Sequence, residues 1–247
     1  MILRCHLHRL ATLLALSCAP LVADAQSAVD VIRLQLVPVS HTVLSSEIGG
    51  RVAVLNVKEG DSFRKGQQLL ALDCKLHEAR LAKAEAQSLE AAKVEAVNSE
   101  LDKLGTISRL EFDVAGARLA AAEAEASLMR SIVERCRITA PFAGKVTRLA
   151  VQPFQFVGEG KELMEIIDDS TLEFELFVPS YWLSSLSRDQ KFTLTIDETG
   201  RSYPAVIERI APAVDAVSQT VKVYGRIDGQ FAELRPGMSG TAALGAP

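Results

Sequence analysis

The chain contains an internal repeat, and this repeat constrains the fold more than any other feature of the sequence. Gly50 aligns with Gly144, and the same shift of 94 positions continues without a gap. The matched pairs are Arg51/Lys145, Val52/Val146, Leu55/Leu149, Val57/Val151, Phe63/Val157, Gly66/Gly160, Leu69/Leu163 and Leu72/Ile166. Alternating apolar residues punctuated by glycine indicate short strands joined by tight turns. One half-sheet cannot bury its own apolar face, so we expect the two copies to pack together as a small β-sandwich.

The two copies differ at one turn position. Phe154 stands in the second copy where the first copy has Gly60. Glycine enters the left-handed backbone region without the steric cost that a side chain brings. The substitution therefore predicts a different backbone conformation for the second turn.

Two segments resemble the halves of a biotinyl/lipoyl domain. Residues 57–69, Val-Lys-Glu-Gly-Asp-Ser-Phe-Arg-Lys-Gly-Gln-Gln-Leu, resemble part of its first half, and residues 138–144, Ile-Thr-Ala-Pro-Phe-Ala-Gly, resemble the opening of its second. In carrier enzymes the halves are contiguous and a lysine at the connecting turn is modified. Here a long insertion separates them, which resembles the periplasmic adaptor or membrane fusion protein family (HlyD-like). The resemblance implies a split lipoyl-like domain, residues 43–74 and 136–168, and makes Lys75 an ordinary residue.

The insertion, residues 75–135, is predicted to be helical. It is rich in Ala, Glu, Lys and Leu and contains no proline. Near its middle Gly105 is a candidate C-cap, and Ser108 with Glu111 forms a candidate capping box. We therefore expect an α-helical coiled-coil hairpin with two antiparallel arms, each roughly 40 Å long at 1.5 Å per residue.

The second arm of the insertion carries two apolar stripes. One consists of Leu110, Val114, Ala117, Ala121, Ala124 and Leu128, and the other of Leu119, Ala122, Ala126, Met129 and Val133. Both have the 3–4 spacing of a helix-packing seam. One stripe suffices for the partner helix, so the second, through Ala122 and Ala126, is a candidate contact between protomers. Alternatively, alanine on this surface serves helix propensity alone.

The tip of the hairpin is where the family resemblance places docking to an outer-membrane channel. The candidate docking residues are Leu101, Leu104, Gly105, Ile107, Ser108 and Glu111. Adaptors that dock on TolC-like channels often carry Arg-x3-Leu-x6-Ser across the tip. Leu101 and Ser108 match that spacing, whereas Val97 stands in place of the arginine. The identity of the channel stays open.

From residue 169 the pattern changes to short alternating strands. These are predicted at 172–178, 192–196, 203–210 and 220–227, with one short helix over 179–186 that Pro179 opens. Glycine, proline and aspartate between them indicate a small antiparallel β-barrel, similar to the adaptor barrel. Residues 30–42 supply its closing strand and 169–244 the remainder. The predicted chain is mainly β with an α insertion, elongated and multi-domain.

The N-terminus reads as a secretory signal peptide over residues 1–25. Arg4 and Arg9 precede an apolar run, and Ala23-Asp24-Ala25 is a small-x-small cleavage pattern. A lipoprotein beginning at Cys18 is the alternative. Either interpretation, with the family resemblance, implies a periplasmic protein associated with the inner membrane.

Two cysteines remain after the predicted signal peptide. Cys74 and Cys136 lie just outside the two ends of the inserted hairpin. Both are therefore expected at its base, in an oxidising compartment where a disulfide can persist. Whether they form a disulfide or remain two buried thiols is left open by the sequence.

Neither composition nor motifs point to catalysis. The net charge of −4 argues against a nucleic-acid partner. His41 and His77 are the only histidines after residue 25, and no nucleophile, phosphate-loop or metal-binding motif is present. We therefore expect no catalytic, cofactor or metal site.

The family resemblance implies an adaptor between an inner-membrane exporter and an outer-membrane channel, assembled as a homo-oligomer, a hexamer. The exporter is expected to be of the resistance-nodulation-division (RND) class. ABC-type and major-facilitator exporters are the alternatives. A lipoyl or biotinyl carrier subunit and a structural coiled-coil protein are further alternatives; the first requires contiguous halves, and the second does not require the repeat.

Overall fold

The computed structural model describes residues 32–243. The predicted signal peptide and Cys18 lie outside this range. The strands are β1 (Ile32–Ser45), β2 (Gly50–Leu55), β3 (Ser62–Phe63), β4 (Gln68–Leu72), β5 (Arg137–Thr139), β6 (Gly144–Leu149), β7 (Phe156–Val157), β8 (Glu162–Pro179), β9 (Lys191–Ile196), β10 (Arg201–Asp215), β11 (Thr220–Ile227) and β12 (Ser239–Ala243). The helices are α1 (Lys75–Lys103) and α2 (Arg109–Glu134). The prediction of a mainly β chain with a helical insertion is confirmed.

The two repeat copies pack face to face as a β-sandwich. One sheet has the strand order β5-β4-β2-β7, and the other contains β3, β6 and the first part of β8. Buried apolar side chains fill the space between them, including Val52, Leu69, Val146 and Leu163. The paired repeat positions Val52/Val146 and Leu69/Leu163 thus lie in one core.

The two copies exchange equivalent backbone hydrogen bonds. The N–H of Gly60 donates to the carbonyl of Val146 (2.8 Å), and the N–H of Phe154 donates to the carbonyl of Val52 (2.9 Å). Each turn is thus held by a strand of the other copy, in the pattern of an internal two-fold rotation. Phe154 has φ 67° and Gly60 has φ 87°. The prediction of a different conformation for the second turn is wrong, because the same hydrogen bond holds both turns.

The remaining strands form a small antiparallel barrel. Strand pairings run from β1 through β12, β9, β10, β11 and β8, and β8 pairs with β1 again. Trp182 is fully buried in its core, beside Phe174 and Leu194. Trp182 comes from a 3-10 helix, Ser180–Ser184, which is shorter than the helix predicted from Pro179. β12 was not predicted.

Sandwich and barrel share two long strands. β1 and β8 pair antiparallel through both modules, with a register shift between Pro38 and Ser40. The change of pattern that the sequence places at residues 168–169 therefore lies inside the continuous strand β8. The polar run Asp168-Asp169-Ser170 resembles a turn in sequence, but the flanking segments of β8 are both paired with β1.

Candidate functional site: the helical pair, its tip and its base

α1 and α2 pack against each other and stand between the two repeat copies in chain order. They are 29 and 26 residues long. Their buried positions are Ala84 on α1 and Ala115 and Ala126 on α2. The ion pair between Arg130 and Glu85 (2.8 Å) joins the two helices. Small side chains at the buried positions allow the two helix backbones to approach closely.

The structure reverses the sequence assignment of the two stripes on α2. Ala126 is buried and Ala122 is half-buried, so the stripe interpreted as a contact between protomers faces α1 instead. The assignment of Ala122 and Ala126 as a protomer contact is therefore wrong. The other stripe, with Leu110, Ala121 and Leu128, is exposed. It is an apolar surface without a partner within residues 32–243.

The tip is built by the predicted capping box. The Ser108 hydroxyl accepts the N–H of Glu111 (3.1 Å), and the Glu111 carboxylate accepts the N–H of Ser108 (3.0 Å). These backbone and hydroxyl hydrogen bonds from Ser108 lower the pKa of Glu111 below its usual value. Gly105 turns the chain with φ 66°, and Thr106 donates to the Leu101 carbonyl (3.0 Å).

Of the six predicted docking residues, five are half-buried or shape the turn, and one exposes an apolar side chain. Leu101 and Ile107 are half-buried, and Ser108, Glu111 and Gly105 shape the turn. Leu104 is 73% exposed and is the apolar side chain that the turn presents to solvent. Leu110 (72% exposed) follows it on α2, in line with Val114. The sequence did not distinguish Leu104, which exposes an apolar side chain, from the residues that shape the turn.

The base of the helical pair is joined by Cys74 and Cys136. Their Cα atoms lie 6.2 Å apart and the structure joins their sulfurs in a disulfide. Both residues are buried in the sandwich core, and the carbonyl of Cys136 accepts the N–H of Leu72 (2.9 Å). Beside them the Arg51 guanidinium, donating to Asp73 (3.0 Å), holds the pKa of that carboxyl below its usual range. The ends of both helices are thus tied to the sandwich.

No grouping of side chains suited to a metal ion occurs in residues 32–243. His77 lies in the first turn of α1, and its Nδ1 atom is buried without a hydrogen-bond partner within residues 32–243. His41 lies on β1, far from His77 in sequence and on another element. Neither helix of the described chain is long and apolar enough to cross a membrane.

The sequence analysis missed one surface, the turn between β6 and β7. Phe154 and Phe156 are 74% and 72% exposed there. The signal that could have found it is the comparison of the repeat copies, since the first copy has Gly60 and Ser62 at these positions. The second copy thus exposes two phenylalanines where the first copy has glycine and serine.

A sandwich split by a helical pair and followed by a barrel defines a class of protein, the membrane-fusion adaptors. Two family models match the chain: "RND MFP, barrel-sandwich hybrid domain" over residues 41–169 and "CusB-like, beta-barrel domain" over residues 174–247. The chain belongs to the RND membrane fusion protein family. This family of adaptors is non-enzymatic.

Relatives carry related descriptions. Nodulation protein NolF of Rhizobium meliloti is 28% identical over 82% of the chain and 59% of its own length. The toluene efflux pump periplasmic linker protein TtgD of Pseudomonas putida is 27% identical over 73% of the chain and 51% of its own length. The chain thus spans about half the length of the curated relatives it matches.

Among solved structures, a MacA-MexA chimera containing the Pseudomonas aeruginosa MexA α-hairpin domain has a similar fold. Its TM-score is 0.77 at 22% identity, over 86% of this chain and 76% of the chimera. At this identity the likeness establishes the fold alone.

Proposed function

We propose that the chain is a periplasmic adaptor subunit, associated with the inner membrane, that links an RND-type exporter to an outer-membrane channel. The observation that carries the proposal is the helical pair set between the two halves of the sandwich, beside the barrel, in a chain that both family models cover. In this arrangement the helical pair is a coiled-coil hairpin, and the lipoyl-like sandwich and barrel face the exporter. The adaptor binds its partners and forms a homo-oligomer, a hexamer, while the exporter supplies the energy.

Cross-linking in a host that makes the full-length chain tests this function. After affinity purification we expect an RND exporter and a TolC-like channel to be recovered together with the adaptor. Recovery of an ABC-type or major-facilitator exporter would change the exporter class while keeping the adaptor role. Recovery of neither membrane partner would contradict the function.

The carrier alternative is disfavoured by the position of Lys75. This residue begins α1, and a helix of 29 residues follows it instead of a tight turn. A swinging cofactor arm requires an exposed turn between contiguous halves. Intact mass spectrometry of the purified chain is expected to show no lipoyl or biotinyl adduct, and such an adduct would support the carrier function.

At the tip, Leu104→Glu is expected to reduce recovery of the channel at least about tenfold, because a charge replaces the exposed apolar contact. Recovery of the exporter is expected to stay unchanged. Leu89→Glu is the matched control, since Leu89 is likewise an exposed leucine but lies on α1, away from the tip. Changes at Leu101 or Ser108 are poorer probes, because both residues hold the turn. Equal loss of exporter and channel in the Leu104 variant would contradict this division of roles.

Along α2, Ala126→Glu and Ala121→Glu are expected to differ. Ala126 is buried, so a carboxylate there loses its hydration and lowers the stability of the helical pair by several kcal/mol. Ala121 is exposed on the unpartnered stripe, so its variant should keep monomer stability within about 0.5 kcal/mol but weaken contacts between hairpins. Thermal unfolding and sedimentation velocity separate the two effects. Identical behaviour of both variants would refute the assignment of the stripes.

A further inference from the structure

The internal two-fold of the sandwich brings two turns into equivalent positions with different side chains. We define the aromatic turn as residues 152–159 and the cationic turn as residues 58–65, its equivalent in the first copy. A two-fold rotation carries one turn onto the other, so the two turns lie across the rotation axis from each other. A difference in their side chains is therefore a difference between two sides of the sandwich.

The aromatic turn presents a large apolar surface on a strained backbone. Phe154 and Phe156, both mostly exposed, replace Gly60 and Ser62 of the first copy. Phe154 keeps the left-handed φ of 67°, which costs a residue with a side chain of order 1 kcal/mol. Strain of this kind persists only where the surroundings enforce it, and it concentrates at functional surfaces. Among residues 32–243 no aromatic or cation–π contact involves the Phe154 ring, so the ring is available to a partner outside the chain.

The cationic turn carries the complementary character. Lys58, Arg64 and Lys65 have no ion-pair partner within residues 32–243. The two carboxylates of this turn accept backbone N–H groups: that of Glu59 from Leu149 (2.7 Å) and that of Asp61 from Lys58 (2.8 Å). Next to Gly60 there is open space, since a Cβ built there meets no atom within 4 Å.

The two turns differ in charge at two pairs of equivalent positions. Lys65 of the cationic turn corresponds to Glu159 of the aromatic turn, and Arg64 corresponds to Gly158. Glu159 also lacks an ion-pair partner in the described chain. Aromatic faces attract ammonium and guanidinium groups, with a strength of about 0.5–1 kcal/mol at exposed sites. One side thus carries two aromatic rings and one acid, and the other carries three cations, two carboxylates that are held by backbone N–H groups, and an open glycine position.

We propose that the aromatic turn of one copy of this chain binds the cationic turn of a second copy. The contact is head to tail, because different surfaces meet, and head-to-tail contacts close into rings when the rotation allows it. Phe154 and Phe156 supply the apolar anchor at the open space beside Gly60, and Glu159 faces the cations of the next copy. The contact rests on the proposed homo-oligomer and names the surface of the sandwich that forms it.

Self-association of the full-length chain, measured by sedimentation velocity, tests the contact. Phe154→Gly restores the residue of the first copy and relieves the backbone, so it should preserve or raise thermal stability while weakening self-association by roughly tenfold or more. Val217→Ser removes an exposed apolar side chain of the barrel, 95% exposed, and should leave self-association unchanged. Equal self-association of wild type and the Phe154 variant would overturn the proposal.

A charge exchange supplies an independent test. Glu159→Lys and Lys65→Glu should each weaken self-association, and the double variant should recover it, because the attraction is restored with its sign reversed. Failure of the double variant to recover while both single variants remain folded would count against the pairing.

A photo-reactive phenylalanine at position 154 identifies the occupant in cells. The expected adduct joins it to residues 58–65 of another copy. An adduct with an exporter, or with lipid alone, would overturn the proposal while leaving the adaptor function intact. A wild-type chain that stays monomeric and yet recovers both membrane partners would do the same. Failure to recover either partner would instead refute the adaptor function.

Discussion

Replacing Gly144 with alanine is expected to prevent the sandwich from folding stably. A Cβ at this position would lie 2.0 Å from the carbonyl oxygen and 2.9 Å from the carbonyl carbon of Ile167. Both atoms belong to the backbone of β8, which pairs with β6 at this point, so no side-chain movement can make room. We expect a loss of more than about 4 kcal/mol in the free energy of unfolding, which is comparable to the total stability of many domains.

The repeat supplies the control. Gly50 is the equivalent of Gly144 in the first copy, and the atoms nearest to a Cβ there belong to the side chain of Leu72, the closest at 3.3 Å. Gly50→Ala should therefore cost about 1 kcal/mol. Gly116→Ala, in the open on α2, should stabilise the helix by about 1 kcal/mol. Urea denaturation followed by circular dichroism ranks the three variants, and a Gly144 variant as stable as the Gly50 variant would contradict the packing of β6 on β8.

Loss of the bond between Cys74 and Cys136 is expected to have the second-largest effect. The bond closes a loop with a sequence separation of 62 residues. On the chain-entropy model, closing a loop of this length stabilises the folded state by about 4 kcal/mol. The double variant Cys74→Ala, Cys136→Ala should lose this amount, and alanine avoids burying a new polar group in the core.

Reductant distinguishes this bond from ordinary core packing. Adding reductant to the wild-type chain during urea denaturation should lower its stability, whereas the double variant should not respond. Peptide mapping without reduction should recover the two cysteine peptides linked. Free thiols that alkylate in the native protein would contradict the bond.

The repeat allowed much of the sandwich to be predicted, because its apolar positions alternate with the strand period and its copies must cover each other. The tip was also predictable, since Ser108 and Glu111 form a capping box from local sequence alone. The barrel strands followed from their alternation. β12 was missed because Ser239–Ala243 consists of small residues with little apolar pattern.

The assignment of the helix faces could not be predicted, because two stripes on α2 have the same spacing. Both stripes combine large apolar residues with alanines, yet the structure turns only the stripe with Ala122 and Ala126 toward α1. The inward positions of α1 include Ser88 and Glu95 as well as Leu81 and Ala84, so its apolar seam is interrupted and does not choose between the stripes. The fully buried positions between the helices are alanines, Ala84 on α1 and Ala115 and Ala126 on α2.

Phe154 shows the limit of local propensity. Its side chain disfavours a left-handed backbone, and the sequence therefore predicted a changed turn. The hydrogen bond to Val52 and the bond from the N–H of Gln152 to the Gln155 side chain (2.9 Å) enforce the conformation. One contact distant in sequence and one within the turn thus override the preference of a single residue.

The shared strands β1 and β8 make the junction between barrel and sandwich a stiff pivot. Both crossings of the chain are strands paired with each other, so the barrel can rotate only by bending one ladder at the irregularity between Pro38 and Ser40. The helical pair is tied to the sandwich at its base, so its tip moves with the sandwich. A rotation of about 5° at the pivot, carried along a helix of roughly 43 Å, displaces the tip by about 4 Å. Small angular changes at the barrel are thereby converted into displacements at Leu104 as large as a side chain.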